Sequence, residues 1–100
     1  MPVKLLMTWN ITPGRDQEYF EFVISDFIPG VQRLGLHPIE AWVTAFGDYP
    51  QIQVAMLVED LKNARLILDS KGWQDLSEKL FALVENFTYK VIPAKGGFQF

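Results

Sequence analysis

His37 is the only histidine in the chain, and so the only side chain that ordinarily changes charge near neutral pH. It stands between Leu36 and Pro38, where a helix-to-strand loop meets a strand. A general base would have to be this residue, although a loop histidine is more often structural or solvated than catalytic. Three tryptophans, Trp9, Trp42 and Trp73, are the other residues with binding chemistry. Together they would line a cavity for a flat, apolar molecule. As core or interface residues they would instead bury a large area and need only one N–H partner each. A metal site needs three or four converging ligands. One histidine and no cysteine leave only carboxylates, and the neighbours Glu59 and Asp60 point to opposite faces of a strand. Neither a metal nor a cofactor is expected. There is no nucleophile elbow, phosphate-binding glycine loop or carboxylate pair. Asp16, Glu18 and Glu21 read as the solvated face of a helix.

Composition narrows the classes further. One hundred residues make one domain, 1–100, large enough to bury a core without disulfides. Hydrophobic residues are 49% of the chain and fourteen are aromatic, a load that calls for burial in a partner or around a ligand as well as in the core. The net charge of −3 gives no basic face for nucleic acid. No apolar run is long enough to span a bilayer, and no signal peptide is read at the start. The expected compartment is the cytoplasm, and the sequons at Asn10 and Asn86 are read as chance.

The elements that must position these residues follow from periodicity. Val3, Leu5, Met7, Trp9 and Ile11 alternate with Lys4, Leu6, Thr8 and Asn10, which argues a half-buried strand. Thr12-Pro13-Gly14 ends it. Phe20, Val23, Phe27, Val31 and Leu34 then recur at helical spacing, widened by Tyr19, Ile24 and Ile28. Pro29 predicts a kink or restart, and Gly35 a left-handed close. A strand over 39–46, a turn at Gly47-Asp48-Tyr49-Pro50 and a strand over 51–59 form a hairpin, with Tyr49 at its tip as a lid or subunit contact. Asp60 caps a second helix that Lys71-Gly72 divides, with Ser70 or Asp69 to recap it. Trp73, Leu76, Leu80, Leu83 and Val84 carry its second half. Phe87, Tyr89 and Val91 mark the last strand. The tail, 93–100, ends Phe98-Gln99-Phe100 and is expected to dock.

Strand, helix, strand, strand, helix, strand is the ferredoxin-like α+β arrangement, βαββαβ, with both helices on one face of a four-stranded antiparallel sheet in the order 4-1-3-2. Trp9 and Trp73 fall on the helix side. The open face would carry Leu6, Trp42, Phe46, Leu57 and Ile92 among Thr8, Asn10, Thr44, Gln53, Thr88 and Lys90. A face this apolar is expected to be covered by a second copy across a two-fold axis. Glu40 and Lys90 lie on opposite edges, out of reach within one subunit but not across a dimer.

The chain resembles the dimeric α+β barrel superfamily, which includes antibiotic-biosynthesis monooxygenase-like and NIPSNAP-like proteins. The resemblance rests on Thr12-Pro13-Gly14, Gly35, the divided helix around Ser70-Lys71-Gly72-Trp73 and the closing run Phe87 to Ile92, and it spans the chain. It implies a homodimer. It leaves activity open, because proteins of this fold do unrelated things. Haem-degrading members use an Asn early in the first strand, where this chain has Met7 and offers Asn10 only later. They also use a Trp and a His on the second helix, where this chain has Trp73 and, near the haem-liganding place, Ser77. Haem degradation is therefore not expected.

Three functions follow. The first is a homodimer that binds a small apolar or aromatic molecule. The second is a cofactor-independent monooxygenase or isomerase, with Trp9, Trp73 and Asn10 positioning a substrate that forms its own carbanion and His37 taking the proton. The third is a module whose open sheet binds a different protein.

Overall fold

The computed structural model describes residues 1–44 and 50–94. Strand β1 (Val3–Ile11) is central, and its strict alternation of apolar residues turns Leu5, Met7 and Trp9 into the core. The expected order is observed: β1 is followed by a helical stretch, β2 (His37–Val43), β3 (Ile52–Val58), two short helices and β4 (Val84–Pro93). The sheet is antiparallel in the order β2-β3-β1-β4. The turn expected at Gly47 to Tyr49, the end of the strand expected at Ala45 and Phe46, and the tail from Lys95 onward lie outside the described residues.

The first helical stretch departs from the expected pattern. It consists of α1 (Asp16–Phe22), a π-helical turn (Val23–Phe27) and α2 (Ile28–Leu34). Tyr19, Phe27 and Val31 are buried, whereas Phe20 is 48% and Ile24 72% exposed. Inward residues at a strict spacing of four drift by about 40° per step on an α-helix. The wide turn takes part of that drift back and aims Tyr19, not Phe20, at the sheet. Pro29 lies in the first turn of α2 directly after the π-helical turn, and the backbone stays helical through it. Gly35 closes it at φ 97°, a backbone region that side chains with a Cβ rarely adopt.

The second helix is divided as expected into α3 (Leu61–Leu68) and α4 (Lys71–Phe81). Asp60 Oδ1 accepts the Asn63 N–H at 2.8 Å, and Ser70 Oγ accepts the Trp73 N–H at 3.2 Å. α2 and α4 meet through reciprocal glycines. A Cβ on Gly30 would lie 2.9 Å from a Leu76 methyl, and one on Gly72 would lie 2.8 Å from a Leu34 methyl. Asp60→Ala is expected to lower stability by about 1 kcal/mol, the usual worth of an N-cap. Urea unfolding checks this, with an unchanged slope showing that only the cap was lost.

Two bulges adjust the sheet. One lies between Pro38 and Glu40, where Ile39 is the extra residue. The other lies opposite Thr8 and Asn10, where Asn86 takes φ 56°. Val84, read from the sequence as the last helical residue, is instead the first residue of β4 and pairs with Ile11. Each bulge adds one residue and breaks the simple alternation of its strand, so that His37 and Glu40, three residues apart, share a face. Paired residues share a face throughout, so Leu6, Thr8, Trp42, Gln53, Leu57, Thr88, Lys90 and Ile92 occupy the side away from the helices.

Candidate functional site

Trp9 sits at the centre of the helix side, 1% exposed. Its ring meets Tyr19 edge-on at 6.5 Å and Phe27 at 5.9 Å, and it stacks on Phe87 at 5.9 Å and 14°. Phe27 passes the cluster on to Trp73 at 6.4 Å. Tyr19 passes it to Phe20 at 5.1 Å and Phe87 to Phe81 at 4.9 Å, so the rings run from the core to the surface. Each such pair adds about 0.5–1.5 kcal/mol beyond the area it buries.

One polar contact is built into this cluster. Trp9 Nε1–H donates to the Tyr19 hydroxyl at 2.9 Å. The phenol therefore accepts from the indole and keeps its own proton to donate. Burial pushes the Tyr19 phenol above its usual value, and the Trp9 hydrogen bond opposes that in part. Tyr19 is thus a neutral donor across the physiological range and not a base.

A stability consequence follows. Near neutral pH the phenol is protonated in both the folded and the unfolded chain. From about pH 10 the unfolded chain releases its proton first, because the folded value is raised. Stability contributed by Tyr19 is complete below that point and is lost as pH rises through the folded value. Unfolding free energy measured from pH 9 upward is expected to fall more steeply in the native protein than in Tyr19→Phe.

Beside the cluster, the helix layer stops short of strand β2. Val43 pairs with Ile52, which pairs with Trp9, so the three share one helix-facing row. Ile52 and Trp9 are buried, yet Val43 is 71% exposed, and Ala41 in the next row is exposed too. Among the described residues nothing covers this apolar strip of sheet, which lies in line with Trp9.

The structure brings Trp9 and Trp73 into one cluster and sends the other candidates elsewhere. Trp42 is on the opposite sheet face, 47% exposed. Asn10 also belongs to that face. Its Oδ1 accepts the Gln51 N–H at 2.8 Å, while Gln51 Oε1 accepts the Ile11 N–H at 2.9 Å, a clamp that holds β1 to the start of β3. His37 is exposed at the far end of the sheet, opposite Leu57, in the row of Lys4. Five residues of β1 separate that row from Trp9, about 17 Å at ~3.4 Å per residue. Ser77 is buried and donates to the Gln74 carbonyl of its own helix at 3.1 Å. Glu40 and Lys90 lie on opposite edge strands. No helix among the described residues is long and apolar enough to cross a membrane.

Tyr19, Phe27 and Phe87 belong to the site but were not singled out in the sequence as site residues. The signal that finds Tyr19 is chemical: a buried indole N–H requires an acceptor, and Tyr19 is the polar-tipped residue on the face shared with Val23, Phe27 and Val31.

No protein-family profile and no curated protein matches the sequence. Solved structures do match. A NIPSNAP family protein from Agrobacterium tumefaciens superposes with a TM-score of 0.75 at 19% identity, over 97% of this chain and 96% of that one. A variant of SnoaB, a cofactor-independent oxygenase from Streptomyces nogalater, does so with a TM-score of 0.69 at 15% identity, over 99% and 98%. A dimeric protein of unknown function and ferredoxin-like fold from Bacteroides fragilis gives 0.65 at 13% identity, over 92% and 95%. The fold is that of the ferredoxin-like NIPSNAP-type α+β proteins, as the resemblance in the sequence implies.

Proposed function

We propose that the protein is a cytoplasmic homodimer, joined through its open sheet faces, that binds a small, flat aromatic molecule bearing a carbonyl or similar acceptor oxygen. The observation that carries the ligand is the uncovered strip at Ala41 and Val43 beside the Trp9 cluster. A flat ring laid there covers apolar sheet in line with Trp9, and binding removes apolar area from water at about 25 cal/mol per Å². The Tyr19 proton, unused by the Trp9 contact, supplies a hydrogen bond to the ligand oxygen.

Trp9, buried in the same row as Val43, backs this site from the core, Trp73 belongs to the aromatic cluster behind it, and Asn10 supports it by fixing the hairpin end. Trp42 belongs to the subunit interface in this reading. The oxygenase reading is supported by the fold shared with SnoaB, and here it would depend on a substrate that ionises unaided. Tyr19 is neutral, and His37 lies about 17 Å along the sheet from Trp9.

Binding is tested with 1-tetralone against naphthalene, two bicyclic probes of similar size, only the first having an acceptor oxygen. Quenching of tryptophan fluorescence is expected to show tighter binding of the ketone. The difference, about tenfold for one hydrogen bond of ~1.4 kcal/mol, is expected to vanish in Tyr19→Phe. Equal affinities in the native protein would remove the donor role of Tyr19, and no quenching by either probe would remove the site.

A further inference from the structure

We infer that the groove between α2 and α3 binds a zwitterion, an α-amino acid with an aliphatic side chain. This site is separate from the aromatic one. Its floor includes Val58, which pairs with Val3 at the start of β1. Trp9 lies six residues further along that strand, about 20 Å at ~3.4 Å per residue.

The groove has a volume of about 420 Å³, which suits a small molecule. Part of its lining is apolar: Leu34 from α2, with Leu66 and Ile67 from α3. Leu66 is 59% exposed, so a ligand laid over it removes apolar area from water. The rest of the lining carries two opposite charges. Arg33 comes from the last turn of α2, and Glu59 directly follows β3.

These two charges share the groove without pairing. The ion pairs among the described residues are Arg15–Glu18 and Lys71–Asp75, so Arg33 and Glu59 stand beyond ion-pair distance. Glu59 is held from one side, where its Oε2 accepts from the Asn63 amide at 3.3 Å. That leaves Oε1 for a further donor. Other charged groups lie in the grooves on either side. Asp75 and Lys79 line the one between α2 and α4, which shares Arg33 and Leu34, and Asp75 is already taken by Lys71 at 3.5 Å. His37 lines the one at the end of the sheet, which shares Gly35, Val58 and Glu59.

Charge selects the ligand. A simple carboxylate on Arg33 would face the like charge of Glu59, and a simple amine on Glu59 would face that of Arg33. Like charges brought together reject a ligand as effectively as opposed ones attract it. A ligand carrying both signs satisfies both residues. In an α-amino acid the carboxylate takes the Arg33 guanidinium in the two-point geometry that its planar fork favours. The ammonium donates to Glu59 Oε1 and to the Asn63 amide oxygen. The aliphatic side chain covers Leu66 and Ile67.

The test titrates the protein with L-leucine, with isocaproate, which lacks the ammonium, and with isoamylamine, which lacks the carboxylate. The readout is the amide chemical shifts of Gly35, Asn63 and Ile67. Leucine is expected to shift them saturably, and each analogue to bind about tenfold or more weakly, the worth of one charged hydrogen bond. Arg33 and Glu59 are exposed, so Arg33→Gln and Glu59→Gln are expected to keep the native circular dichroism. Each change is expected to weaken leucine about tenfold. Each also removes a repulsion, so Arg33→Gln is expected to bind isoamylamine more tightly than native, and Glu59→Gln to bind isocaproate more tightly. The inference is overturned by native binding that does not distinguish the three probes, or by no saturable shift with leucine at tens of millimolar. A variant that weakens all three probes alike overturns it too, because that pattern reports a disturbed groove and not a lost charge.

Discussion

Replacing Trp9 with alanine is expected to remove a large share of the stability of the fold. The ring is 1% exposed and is the common neighbour of Tyr19, Phe27 and Phe87. Truncating a buried tryptophan costs about 3–5 kcal/mol through lost transfer energy and the cavity left behind. The same change takes away the N–H that Tyr19 accepts. Domains of this size are stable by only about 5–15 kcal/mol in total. Trp9→Phe keeps most of the packing and loses only the donor, so it is expected to cost about half as much or less. Urea unfolding of both variants makes the comparison. An alanine variant within about 1 kcal/mol of native would mean that the aromatic cluster does not hold the helices to the sheet.

The second large effect is on assembly. Leu6→Arg is expected to turn the proposed dimer into a folded monomer at micromolar concentration. Leu6 is half-buried in the centre of the open face, beside Lys90 in the same row. An arginine there adds a second positive charge next to Lys90 and must be desolvated against the partner's sheet in the proposed dimer. An unpaired charge buried at an interface costs several kcal/mol, more than a hundredfold in the dissociation constant. Leu6 does not belong to the core on the helix side, so the far-ultraviolet circular dichroism is expected to stay native. A variant that dimerises within about fivefold of native would place the interface elsewhere.

Most of the fold was legible in the sequence because its signals are local. The alternation from Val3 to Ile11 put Trp9 on the helix side. Asp60 and Ser70 marked the starts of the divided second helix, and Gly35 the end of the first. The elements that escaped depend on insertions that periodicity does not register. The π-helical turn at Val23–Phe27 changes which of Tyr19 and Phe20 faces inward. The bulges at Ile39 and Asn86 shift pairing by one residue without leaving a turn signature, and Val84 reads as helical because it continues the apolar spacing from Leu80 and Leu83.

The site was legible in part, for the same reason. Strand parity separates Trp9 from Trp42, and helix phase brings Trp73 toward Phe27. The exposure of Val43 cannot be read from its own residue type. It is set by where the helix layer ends, a matter of helix lengths and crossing that no local pattern encodes. His37 drew notice as the only histidine in the chain, yet pairing places it in the row of Lys4, remote from the aromatic cluster. Asn10 is one residue from Trp9 in sequence and on the opposite face in space.

The claim on which the account turns is that two copies close the sheet. Light scattering on a sizing column measures it directly. The account predicts a solution mass near twice the 11.5 kDa of the chain. A mass near 11.5 kDa itself at high micromolar concentration would contradict it, and would point to the open face as a surface for a different protein.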